Sequence, residues 1–568
     1  MRNGVREFYV APGSRSTPLV TAVAAHSDTT IHTHFDERGT AFMALGYGKA
    51  TGRPAVWITS SGTALANGYP AIVEASMEGI PMLLLTADRP PELRDSDANQ
   101  TIQQQAIFGS YVEWFVDVPT PTDEIPPEYL LTMVDQALER SRAGVVHLNC
   151  MFREPLAPDQ EDYSPLLSNN FKQWKDSKHP YTSYRHDLQP TTSIVDELAS
   201  QLSKAKRPLI VLGRLRTSDS SVLNRLQKCC KAYDAVFIPD IGSGVRLATL
   251  GELGIGHAEA TLYGDLPEAL RPDLVMQFGA SPVSKRVNAL MQSATYVVVD
   301  DRNRKIDPGC TVSLRVVADP VAVLTALSVD RTEEARPEDF HGQSEWQGDW
   351  KRAIDASSKW ADTDLGTALT EQTTAHTLSR CLSSDLVLAV ASSNPVRHLD
   401  LCAITDGKYV PVVSNRGASG IDGTIATASG FGDGHKRRPV VLIGDLALLH
   451  DLNSLALCRE RGTIVVVINN DGGGIFSYLP IRDYPEVFEQ YFATPHGLSF
   501  KHAALQFGMS YSQPASIGEL TESLNTAFSQ SGAAIIEVRT DRGENLEEQR
   551  RILRAMSSRL DSVFRAVE

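Results

Sequence analysis

The sequence predicts an α/β protein built from three consecutive domains, each with a parallel sheet. Short, uninterrupted apolar runs alternate with helical stretches along the chain, a pattern that favours parallel strands buried on both faces. A chain of 568 residues is too long to fold around a single hydrophobic core, and its length fits three domains of ordinary size. Polar stretches at residues 169–189 and 330–349 interrupt the pattern, so we expect domains over residues 1–165, 190–330 and 350–568.

Local patterns predict the elements in chain order. Thr17 followed by Pro18 predicts a helix with Thr17 as its cap, because Pro is favoured in the first helical turn. Helices are also predicted over Glu37–Lys49, around Asp451–Glu460 and, as a charged terminal helix, over Asn545–Val567. Short apolar runs predict the strands, which are Phe8–Val10, Ile31–Phe35, Val56–Thr59, Pro81–Thr86, Pro208–Leu212, Ala235–Ile238, Leu274–Phe278, Tyr296–Val299, Leu386–Val390, Val440–Ile443 and Thr463–Ile468.

Composition and charge exclude several classes of protein. The contents of 42% hydrophobic and 22% charged residues exclude a disordered or collagen-like chain. The net charge of −15 argues against nucleic acid binding over the general surface, so an anionic small molecule needs a local cationic pocket. Seven cysteines without a CxxC pair fit a reducing compartment. With no apolar run long enough to span a membrane and no apolar signal region at residues 1–7, we expect a cytoplasmic protein.

The segment from Val440 to Phe476 carries the most informative motif. One apolar strand leads into Gly444 and Asp445, and the next leads into Asn470 and a run of glycines. The 25 positions between Asp445 and Asn470 fit one helix and one strand, which places both side chains where parallel sheets bind ligands. Either half alone would be an ordinary turn. Together, a carboxylate, an amide oxygen and flexible glycine backbone predict a site for Mg²⁺ and a diphosphate.

This arrangement resembles the cofactor motif of the thiamine-diphosphate (ThDP) enzymes, which begins Gly-Asp-Gly and ends Asn-Asn. This sequence has Leu446 at the position where the motif usually has a third glycine. The difference reduces the number of ThDP enzyme families that the sequence can match. The resemblance implies a pyrimidine-binding, a central and a diphosphate-binding domain, with ThDP and Mg²⁺ or Mn²⁺ as cofactors. It assigns the metal to Asp445, Asn470 and Gly472, and ThDP to Gly444, Asp445, Asn470, Gly472, Gly473, Ile475 and Phe476.

Enzymes of this class also need a Glu from another domain, which activates the cofactor through its pyrimidine ring. Glu37 matches this residue, because it follows a predicted strand and opens a predicted helix. A carboxylate placed there suits general acid–base work. Taken alone, Glu37 would equally be an ordinary first-turn acid stabilised by the helix dipole, as would Asp36.

Further segments resemble the family of 2-succinyl-5-enolpyruvyl-6-hydroxy-3-cyclohexene-1-carboxylate (SEPHCHC) synthases, transferases of menaquinone and phylloquinone biosynthesis. The resemblance implies that 2-oxoglutarate loses CO₂ and that its succinic-semialdehyde unit adds to isochorismate in a 1,4-addition. The segments that carry it are Ala11-Pro12-Gly13-Ser14-Arg15-Ser16, His34-Phe35-Asp36-Glu37-Arg38-Gly39, Thr86-Ala87-Asp88-Arg89-Pro90-Pro91-Glu92-Leu93, Ala98-Asn99-Gln100, Ser284-Lys285-Arg286 and Ser414-Asn415-Arg416-Gly417-Ala418-Ser419-Gly420-Ile421-Asp422-Gly423.

The same resemblance assigns the substrate residues. Both substrates carry two carboxylates. We therefore expect arginines in the substrate site of this acidic protein, because a guanidinium group binds a carboxylate bidentately. Glu37 is the catalytic carboxylate, and Gln100 a polar catalytic residue near the substrate. The substrate positions are Ser14 and Arg15 in the first substrate loop, Arg89 and Gln100 on the isochorismate side, Lys285 and Arg286 in the central domain, Ser393, Arg397 and Arg416 in the third domain, and Phe476 and Leu479 as an apolar wall beside the reacting carbon.

Two other functions are weighed against this one. Another ThDP-dependent 2-oxoacid decarboxylase or an acetolactate-synthase-like carboligase would need a pocket for an uncharged or monoanionic acceptor, which the cations argue against. The intact Glu37, Asp445 and Asn470 argue against a nucleotide-binding or regulatory protein that has lost catalysis. The resemblance further implies a homodimer, or a dimer of dimers, whose sites take Glu37 and Asp445 from different subunits. Since family members usually carry a helix before the first strand, which starts here at Phe8, we expect a short amino terminus.

Overall fold

A computed structural model describes residues 1–158, 168–216, 219–302, 307–329, 344–358 and 364–564. These residues form three parallel sheets that follow one another along the chain, as predicted. The expected domain boundaries at residues 165 and 330, and most of the polar stretch from Asp330, fall outside the described residues. None of the described helices combines the length and the apolar character needed to cross a membrane.

The first sheet has the strand order β2-β1-β3-β4-β6-β5. The helix after β1 begins at Thr17, as expected, but its cap is Ser16 rather than Thr17. The reason is that a 3₁₀ turn over Ser14–Ser16 runs directly into the helix. The strands are β1 (Glu7–Val10), β2 (Thr30–Thr33), β3 (Ala55–Thr59), β4 (Met82–Asp88), β5 (Trp114–Val118) and β6 (Val145–Met151), and the helices are Thr17–Ala24, Glu37–Thr51, Thr63–Asn67, Tyr69–Glu78, Pro127–Arg140 and Asn169–Asp176.

The second sheet has the order β11-β10-β9-β7-β8. The four strands β7 to β10 match the predicted apolar runs, including β8 at one edge of the sheet. The strand at the other edge, β11, was not predicted, because polar residues interrupt it. The strands are β7 (Pro208–Leu212), β8 (Val236–Pro239), β9 (Leu274–Phe278), β10 (Thr295–Asp300) and β11 (Val312–Val317), and the helices are Thr192–Lys204, Ser221–Ala232, Ala258–Thr261, Lys285–Met291, Pro320–Ser328 and Glu345–Ser358.

The third sheet has the order β13-β12-β14-β15-β17-β16, so β12, β14 and β15 are neighbours. Val440 pairs with Ile464 and Gly444 with Ile468, which brings the residues after β14 and β15 to one edge. The strands are β12 (Leu386–Val390), β13 (Val412–Val413), β14 (Arg438–Gly444), β15 (Ile464–Asn469), β16 (Ser510–Ser512) and β17 (Ala534–Arg539), and the helices are Glu371–Cys381, Asn394–Cys402, Thr424–His435, Asp445–His450, Cys458–Arg461, Pro485–Phe488, Lys501–Gln506, Ile517–Ser529 and Arg542–Phe564.

The chain packs into two compact units. Unit 1 comprises residues 1–186 together with 415–439 and 447–461, and unit 2 comprises the remaining residues. Within unit 1, helix Glu37–Thr51 packs on helix Thr424–His435 with their backbones in close approach: a Cβ added at Gly46 would collide with the carbonyl oxygen of Thr427, and one at Gly430 with that of Met43. Small residues at this crossing are therefore needed for the core of unit 1.

Unit 2 contains the second and third sheets. The fully buried Arg246 donates hydrogen bonds of 3.0 Å to the carbonyl oxygen of Ile404 and 3.2 Å to that of Ala403. Burial lowers the pKa of Arg246 to about 10. The residue nevertheless has carbonyl acceptors for its charged group, which links the loop after β8 to the end of helix Asn394–Cys402.

Candidate functional site

Asp445 and Gly472 meet at the carboxyl ends of the neighbouring strands β14 and β15. Asp445 directly follows β14, and its Oδ2 accepts a hydrogen bond of 2.8 Å from the N–H of Gly472, just beyond β15. Its Oδ1 accepts one of 2.7 Å from the N–H of Leu446. Burial raises the pKa of Asp445, although these backbone donors lower it in part. A cation bound at this carboxylate would offset the cost of its burial.

The side-chain amide of Asn470 forms a hydrogen bond with the described residues through its nitrogen but not through its oxygen. Its Nδ2 donates a hydrogen bond of 2.6 Å to Oε1 of Glu371. Its Oδ1 is buried and has no hydrogen-bond partner among the described residues. A buried acceptor without a partner costs free energy unless a ligand satisfies it. Together with the carboxylate of Asp445 and the backbone of Gly472, this oxygen forms a set of ligands that fits a Mg²⁺ ion.

The glycines after Asn470 lie against the backbone of a second segment. The N–H of Gly473 donates a hydrogen bond of 2.6 Å to the carbonyl oxygen of Ala493. A Cβ added at Gly472 would collide with that same oxygen, and Gly472 has a φ of +128°, a conformation that favours glycine. A Cβ added at Gly444 would meet nothing within 4 Å. The site thus combines close backbone packing with open space at Gly444, which fits a bound diphosphate.

His496 approaches Asp445 from the loop that follows Ala493. Its Nε2 lies 3.1 Å from Asp445 Oδ2, and its Nδ1 accepts a hydrogen bond of 2.9 Å from the N–H of Leu498. Because Nδ1 accepts, Nε2 carries the proton and donates to Asp445. Asp471 holds the same loop, since its Oδ1 accepts from the N–H groups of His496 and Gly497. Two side chains therefore fix the position of this loop beside Asp445.

The predicted apolar residues follow the glycines on a single turn. Ile475 and Phe476 are half-buried on the 3₁₀ turn Gly474–Tyr478, and the rings of Phe476 and Phe492 lie 5.5 Å apart. Leu479 is 44% exposed. This part of the site has apolar surface available for a ligand.

Ser393 and Arg397 lie beyond β12, next to β14 in the third sheet. Ser393 has a φ of +75° and precedes helix Asn394–Cys402, and the Arg397 guanidinium donates a hydrogen bond to the Ser393 carbonyl oxygen. The third sheet therefore brings these two residues, Asp445 and Asn470 to the carboxyl ends of adjacent strands.

Lys285 and Arg286 open a helix beyond β9 of the second sheet. Ser284 caps the helix, Lys285 is exposed, and Arg286 forms an ion pair with Glu259. The Arg286 guanidinium also lies 5.1 Å from the ring of Tyr263, and burial lowers its pKa. The two cations are thus unequal, because Arg286 already has a carboxylate partner and Lys285 extends into solvent.

Glu37 is the first residue of its helix, as the sequence predicts. Asp36 caps the helix, with its side chain accepting from the N–H groups of Arg38 and Gly39. Glu37 is half-buried, and its Oε2 accepts a hydrogen bond of 3.3 Å from Nδ2 of Asn67. Because Asp36 satisfies the backbone, the carboxylate of Glu37 is not needed as the cap.

Arg15 and Arg89 are two buried cations near each other in unit 1. Arg15 forms an ion pair of 3.2 Å with Glu154, and Arg89 donates 3.0 Å to the carbonyl oxygen of Gln100. Burial lowers the pKa of Arg89, and the charge of Arg15 lowers it further. Asp88 and Glu154 offset part of this effect, because their negative charges raise the pKa of Arg89. Ser61 accepts from Arg89, and its own carbonyl oxygen accepts 2.9 Å from Nε2 of Gln100. The exposed Ser14 starts the same turn as Arg15.

Arg416 belongs to a loop that buried carboxylates hold in unit 1. Its N–H donates 3.1 Å to Glu78, while the N–H groups of Gly417 and Ala418 donate 2.8 and 2.7 Å to the two oxygens of Glu74. Lys49 pairs with both acids, at 3.1 Å from Glu74 and 2.8 Å from Glu78. The side chain of Arg416 is thus carried on a rigid support.

Sequence reasoning missed Ser61, Asn67, Glu371 and His496. Ser61 lies in a polar loop just after the predicted strand β3. This position at the carboxyl end of a parallel strand could have indicated a site residue. The other three lie in segments without a recognisable motif, and Glu371 is 99 positions from its partner Asn470.

Comparisons with known proteins agree along the whole chain. Three family models match: the N-terminal thiamine pyrophosphate (TPP) binding domain of TPP enzymes at residues 1–107, the middle domain of TPP enzymes at 167–390 and the C-terminal TPP binding domain at 407–538. A solved structure described as a thiamin diphosphate-dependent enzyme from Mycobacterium smegmatis has a TM-score of 0.69 at 18% identity, covering 95% of this chain and 97% of that one. This structure supports the fold.

Curated relatives are more similar in sequence. A 2-succinyl-5-enolpyruvyl-6-hydroxy-3-cyclohexene-1-carboxylate synthase of Rubrobacter xylanophilus is 46% identical over 566 residues, which cover 98% of this chain and 96% of that protein. A synthase of the same name from Salinibacter ruber is 43% identical over 585 residues, covering 100% and 95%. The similarity therefore extends over all three sheets.

Proposed function

The chain belongs to the SEPHCHC synthase family of ThDP-dependent enzymes, and from this membership we propose the reaction that it catalyses. 2-Oxoglutarate loses CO₂, and the remaining succinic-semialdehyde unit adds to isochorismate in a 1,4-addition that forms SEPHCHC. The reaction is a step of menaquinone or phylloquinone biosynthesis.

The observation that carries the proposal is the meeting of Asp445 with Gly472 beside the spare oxygen of Asn470. We assign Mg²⁺ or Mn²⁺ to these three residues, and the diphosphate of ThDP to the same residues with Gly444 and Gly473. When bound, ThDP supplies the electron sink for decarboxylation and for carbon–carbon bond formation. The protein contributes orientation, exclusion of water and charge.

Glu37 is proposed as the carboxylate that activates the cofactor. Its side chain is left available by Asp36, which caps the helix in its place, and Asn67 orients it through a hydrogen bond of 3.3 Å. A carboxylate held in this way can accept and return a proton during each turnover. Ile475 and Phe476 would support the cofactor from the apolar turn.

Local cations are proposed to bind the carboxylates of the substrates. Arg15 and Arg89 supply two buried positive charges in an otherwise acidic protein, and Glu154 pairs with the first of them. Arginine suits this role because its planar group binds carboxylates through paired hydrogen bonds. Gln100 adds a polar contact beside Arg89. The other proposed substrate residues are Ser14, Lys285, Arg286, Ser393, Arg397, Arg416, Phe476 and Leu479.

We further propose a homodimer, or a dimer of dimers, in which each site takes Glu37 from one subunit and Asp445 from another. This assembly rests on the family resemblance. We also propose a cytoplasmic location, because seven cysteines without a CxxC pair fit a reducing compartment.

A turnover assay tests the proposed reaction. The full chain is supplied with ThDP, Mg²⁺ and 2-oxoglutarate, with and without isochorismate, and isochorismate loss, CO₂ release and product mass are followed. Isochorismate consumption that requires both ThDP and 2-oxoglutarate, with the mass of the decarboxylated adduct, is the expected result. CO₂ release without isochorismate loss would instead identify a 2-oxoacid decarboxylase. Efficient turnover of pyruvate alone would identify an acetolactate-synthase-like enzyme.

A further inference from the structure

Glu371 is a buried carboxylate at the centre of four side-chain contacts in unit 2. It is the first residue of helix Glu371–Cys381 and is 1% exposed. Its Oε1 accepts hydrogen bonds of 2.6 Å from Asn470 and 2.8 Å from Asn545, both through Nδ2. Its Oε2 lies 3.3 Å from Nδ2 of Asn394 and 2.8 Å from Nε2 of His398. All four neighbours thus present nitrogen to one carboxylate.

The contact decides which way the amide of Asn470 faces. A carboxylate only accepts hydrogen bonds, whereas a side-chain amide has one donating end and one accepting end. With Nδ2 on Glu371, Oδ1 must face the opposite side, where it is buried and has no partner among the described residues. A flipped amide would place two oxygens in repulsive contact and would present N–H groups, which cannot bind a cation.

The other two proposed metal ligands are oriented differently. Asp445 is fixed by the N–H groups of Gly472 and Leu446, and Gly472 contributes backbone that cannot flip. Asn470 is therefore the ligand whose function depends on the polarity of a neighbouring side chain. Outer partners that orient metal ligands commonly change metal affinity 10-fold to 100-fold when they are removed.

We propose that Glu371 is a positioning residue for the metal site, holding the Asn470 amide with its oxygen toward the divalent cation. The inference rests on the metal site of the proposed function but not on the identity of the substrates. Glu371 also contacts Asn394 at the start of the helix that carries Arg397, so it couples the orientation of the metal ligand to that helix.

The test exchanges the carboxylate and the amide group between positions 371 and 470. Mn²⁺ binding to the full chain is measured by electron paramagnetic resonance in the presence of ThDP, for wild type, Glu371→Gln, Asn470→Asp and the double variant. In Glu371→Gln the new amide can donate to Oδ1 of Asn470 and turn it away, so we expect Mn²⁺ affinity to fall about 10-fold or more. In the double variant, Gln at 371 donates to one oxygen of Asp at 470 and leaves the other for the metal, so affinity should recover from that of Glu371→Gln.

Glu537→Gln is the matched control. Glu537 is also fully buried in unit 2, and its Oε1 accepts 2.8 Å from Nδ2 of Asn469, the residue before Asn470. We expect both Glu537→Gln and Glu371→Gln to lower stability toward urea, whereas Mn²⁺ affinity in Glu537→Gln should stay within about twofold of wild type.

Three results would overturn the inference: wild-type Mn²⁺ affinity in Glu371→Gln, no recovery in the double variant, or an equal loss in Glu537→Gln. A wild-type chain that binds ThDP and Mn²⁺ but does not consume isochorismate would refute the proposed reaction while leaving the role of Glu371 supported by its variants. A wild-type chain that binds no Mn²⁺ with ThDP would refute both.

Discussion

Single residues at the carboxyl ends of β14 and β15 combine satisfied and unsatisfied polar atoms. Asp445 accepts two backbone hydrogen bonds, whereas the buried oxygen of Asn470 accepts none from the described residues. Since native structures satisfy most buried polar groups, a spare acceptor two residues before Gly472 in the sequence supports the proposed metal site. In unit 1 the carboxylate of Glu37 is similarly available, because Asp36 has taken over the capping of the helix.

Glu37→Gln is expected to lower turnover about 100-fold or more, while ThDP binding stays largely intact. The substitution keeps the size of the side chain and its contact with Asn67 but removes its ability to hold and return a proton. Steady-state turnover and ThDP binding, measured on the same preparation, separate the two effects. Glu128→Gln, at a carboxylate of helix Pro127–Arg140, serves as the control and should retain activity. Unchanged turnover in Glu37→Gln would remove Glu37 from the mechanism.

Gly472→Ala is expected to lower the free energy of unfolding by about 2 kcal/mol or more. Its φ of +128° disfavours a side chain, and the added Cβ would collide with the Ala493 carbonyl oxygen. Urea denaturation measures the effect. In Gly532→Ala, where an added Cβ meets nothing within 4 Å, the change should stay below about 1 kcal/mol. Equal effects in the two variants would contradict this account of the glycine run.

The sequence predicts the residues that occupy this site better than the residues that support it. Asp445 and Asn470 were identifiable because each follows an apolar strand and their spacing fits one crossover. Glu371 and His496 were not, because side-chain contacts between distant segments leave no periodicity or motif. The assigned roles of the site residues remain predictions for the experiments above.

Among the elements, loops are held to the core of unit 1 by buried charges. Glu74 and Glu78, from helix Tyr69–Glu78, accept hydrogen bonds from the three consecutive N–H groups of residues 416–418, and Lys49 from another helix forms ion pairs with both carboxylates. If Arg416 has its proposed role, a loop fixed in this way loses little entropy when a substrate binds.

Glu74→Gln is expected to destabilise the protein by about 3 kcal/mol, because it breaks a buried ion pair and leaves Lys49 with one acid fewer. The loop should loosen, so amide hydrogen exchange at residues 416–418 should become faster, together with a higher KM. Exchange measured by mass spectrometry and urea denaturation check both effects. Glu522→Gln, at an exposed helix position, should change neither. Unaltered exchange in Glu74→Gln would show that the loop does not depend on this carboxylate.

Asp451 makes the stability of the first turn of helix Thr424–His435 depend on pH. Its Oδ2 accepts from the N–H groups of Ile425 and Ala426, and burial raises its pKa to about 6 from the ordinary 3.8. The folded state therefore keeps a proton that the unfolded state releases, so this stabilising contribution is complete below about pH 4 and is lost as pH rises through 6.

In Asp451→Asn the neutral amide can accept from Ile425 and donate to Ser454. We expect the stability of this variant relative to wild type to increase by about 2 kcal/mol between pH 4.5 and pH 7. Urea denaturation at the two pH values measures the difference, with the exposed Asp123→Asn as a control that should show none. Parallel pH profiles for wild type and Asp451→Asn would exclude a raised pKa at Asp451.

Strands were predictable where the chain carries a short apolar run, at an edge such as β8 as well as inside a sheet. The internal strands β6 and β17 were not predicted, because His147, Asn149 and Glu537 interrupt their apolar runs. The helix predicted over Glu37–Lys49 extends to Thr51. The terminal helix starts at Arg542 rather than Asn545 and is described to Phe564, so its predicted end at Val567 lies outside the described residues. Edge strands such as β11 and β13 were missed, because a short or partly exposed strand lacks a continuous apolar run. Around Asp451–Glu460 the chain forms a 3₁₀ segment, Leu452–Leu457, before helix Cys458–Arg461, a distinction that periodicity does not resolve.

At the scale of the whole molecule, Glu37 and Asp445 belong to different compact units. The proposed assembly predicts that two inactive variants complement each other. In a heterodimer of Glu37→Gln and Asp445→Ala chains, sites shared between subunits leave one site with both defects and the other intact. Mixing equal amounts under conditions of subunit exchange should then restore about a quarter of wild-type activity.

Sedimentation of the same mixture checks that the chains are dimeric, and each variant alone is the control and should stay inactive. No recovery of activity in an exchanged mixture would place both residues of a site on one chain. A fully active wild-type monomer would also contradict the proposed assembly.

The succession of three sheets was predictable from the alternation of strands and helices, but the composition of the compact units was not. Helix Thr424–His435 packs with residues from the start of the chain, through glycines at Gly46 and Gly430. Nothing local at either glycine indicates its partner, because the two are separated by most of the sequence. Only the three-dimensional packing identifies them as one contact.

The discontinuous make-up of unit 1 has a consequence for synthesis of the protein on the ribosome. Residues 1–186 emerge first, yet their unit includes residues up to 461. At translation rates of about 5–20 residues per second, the nascent first sheet waits on the order of tens of seconds with the Gly46 face of its helix uncovered. During that interval the second sheet can already form. We therefore expect chaperones to bind residues 1–186 during this interval. Codon changes that slow translation before residue 461 should lengthen the interval and increase aggregation.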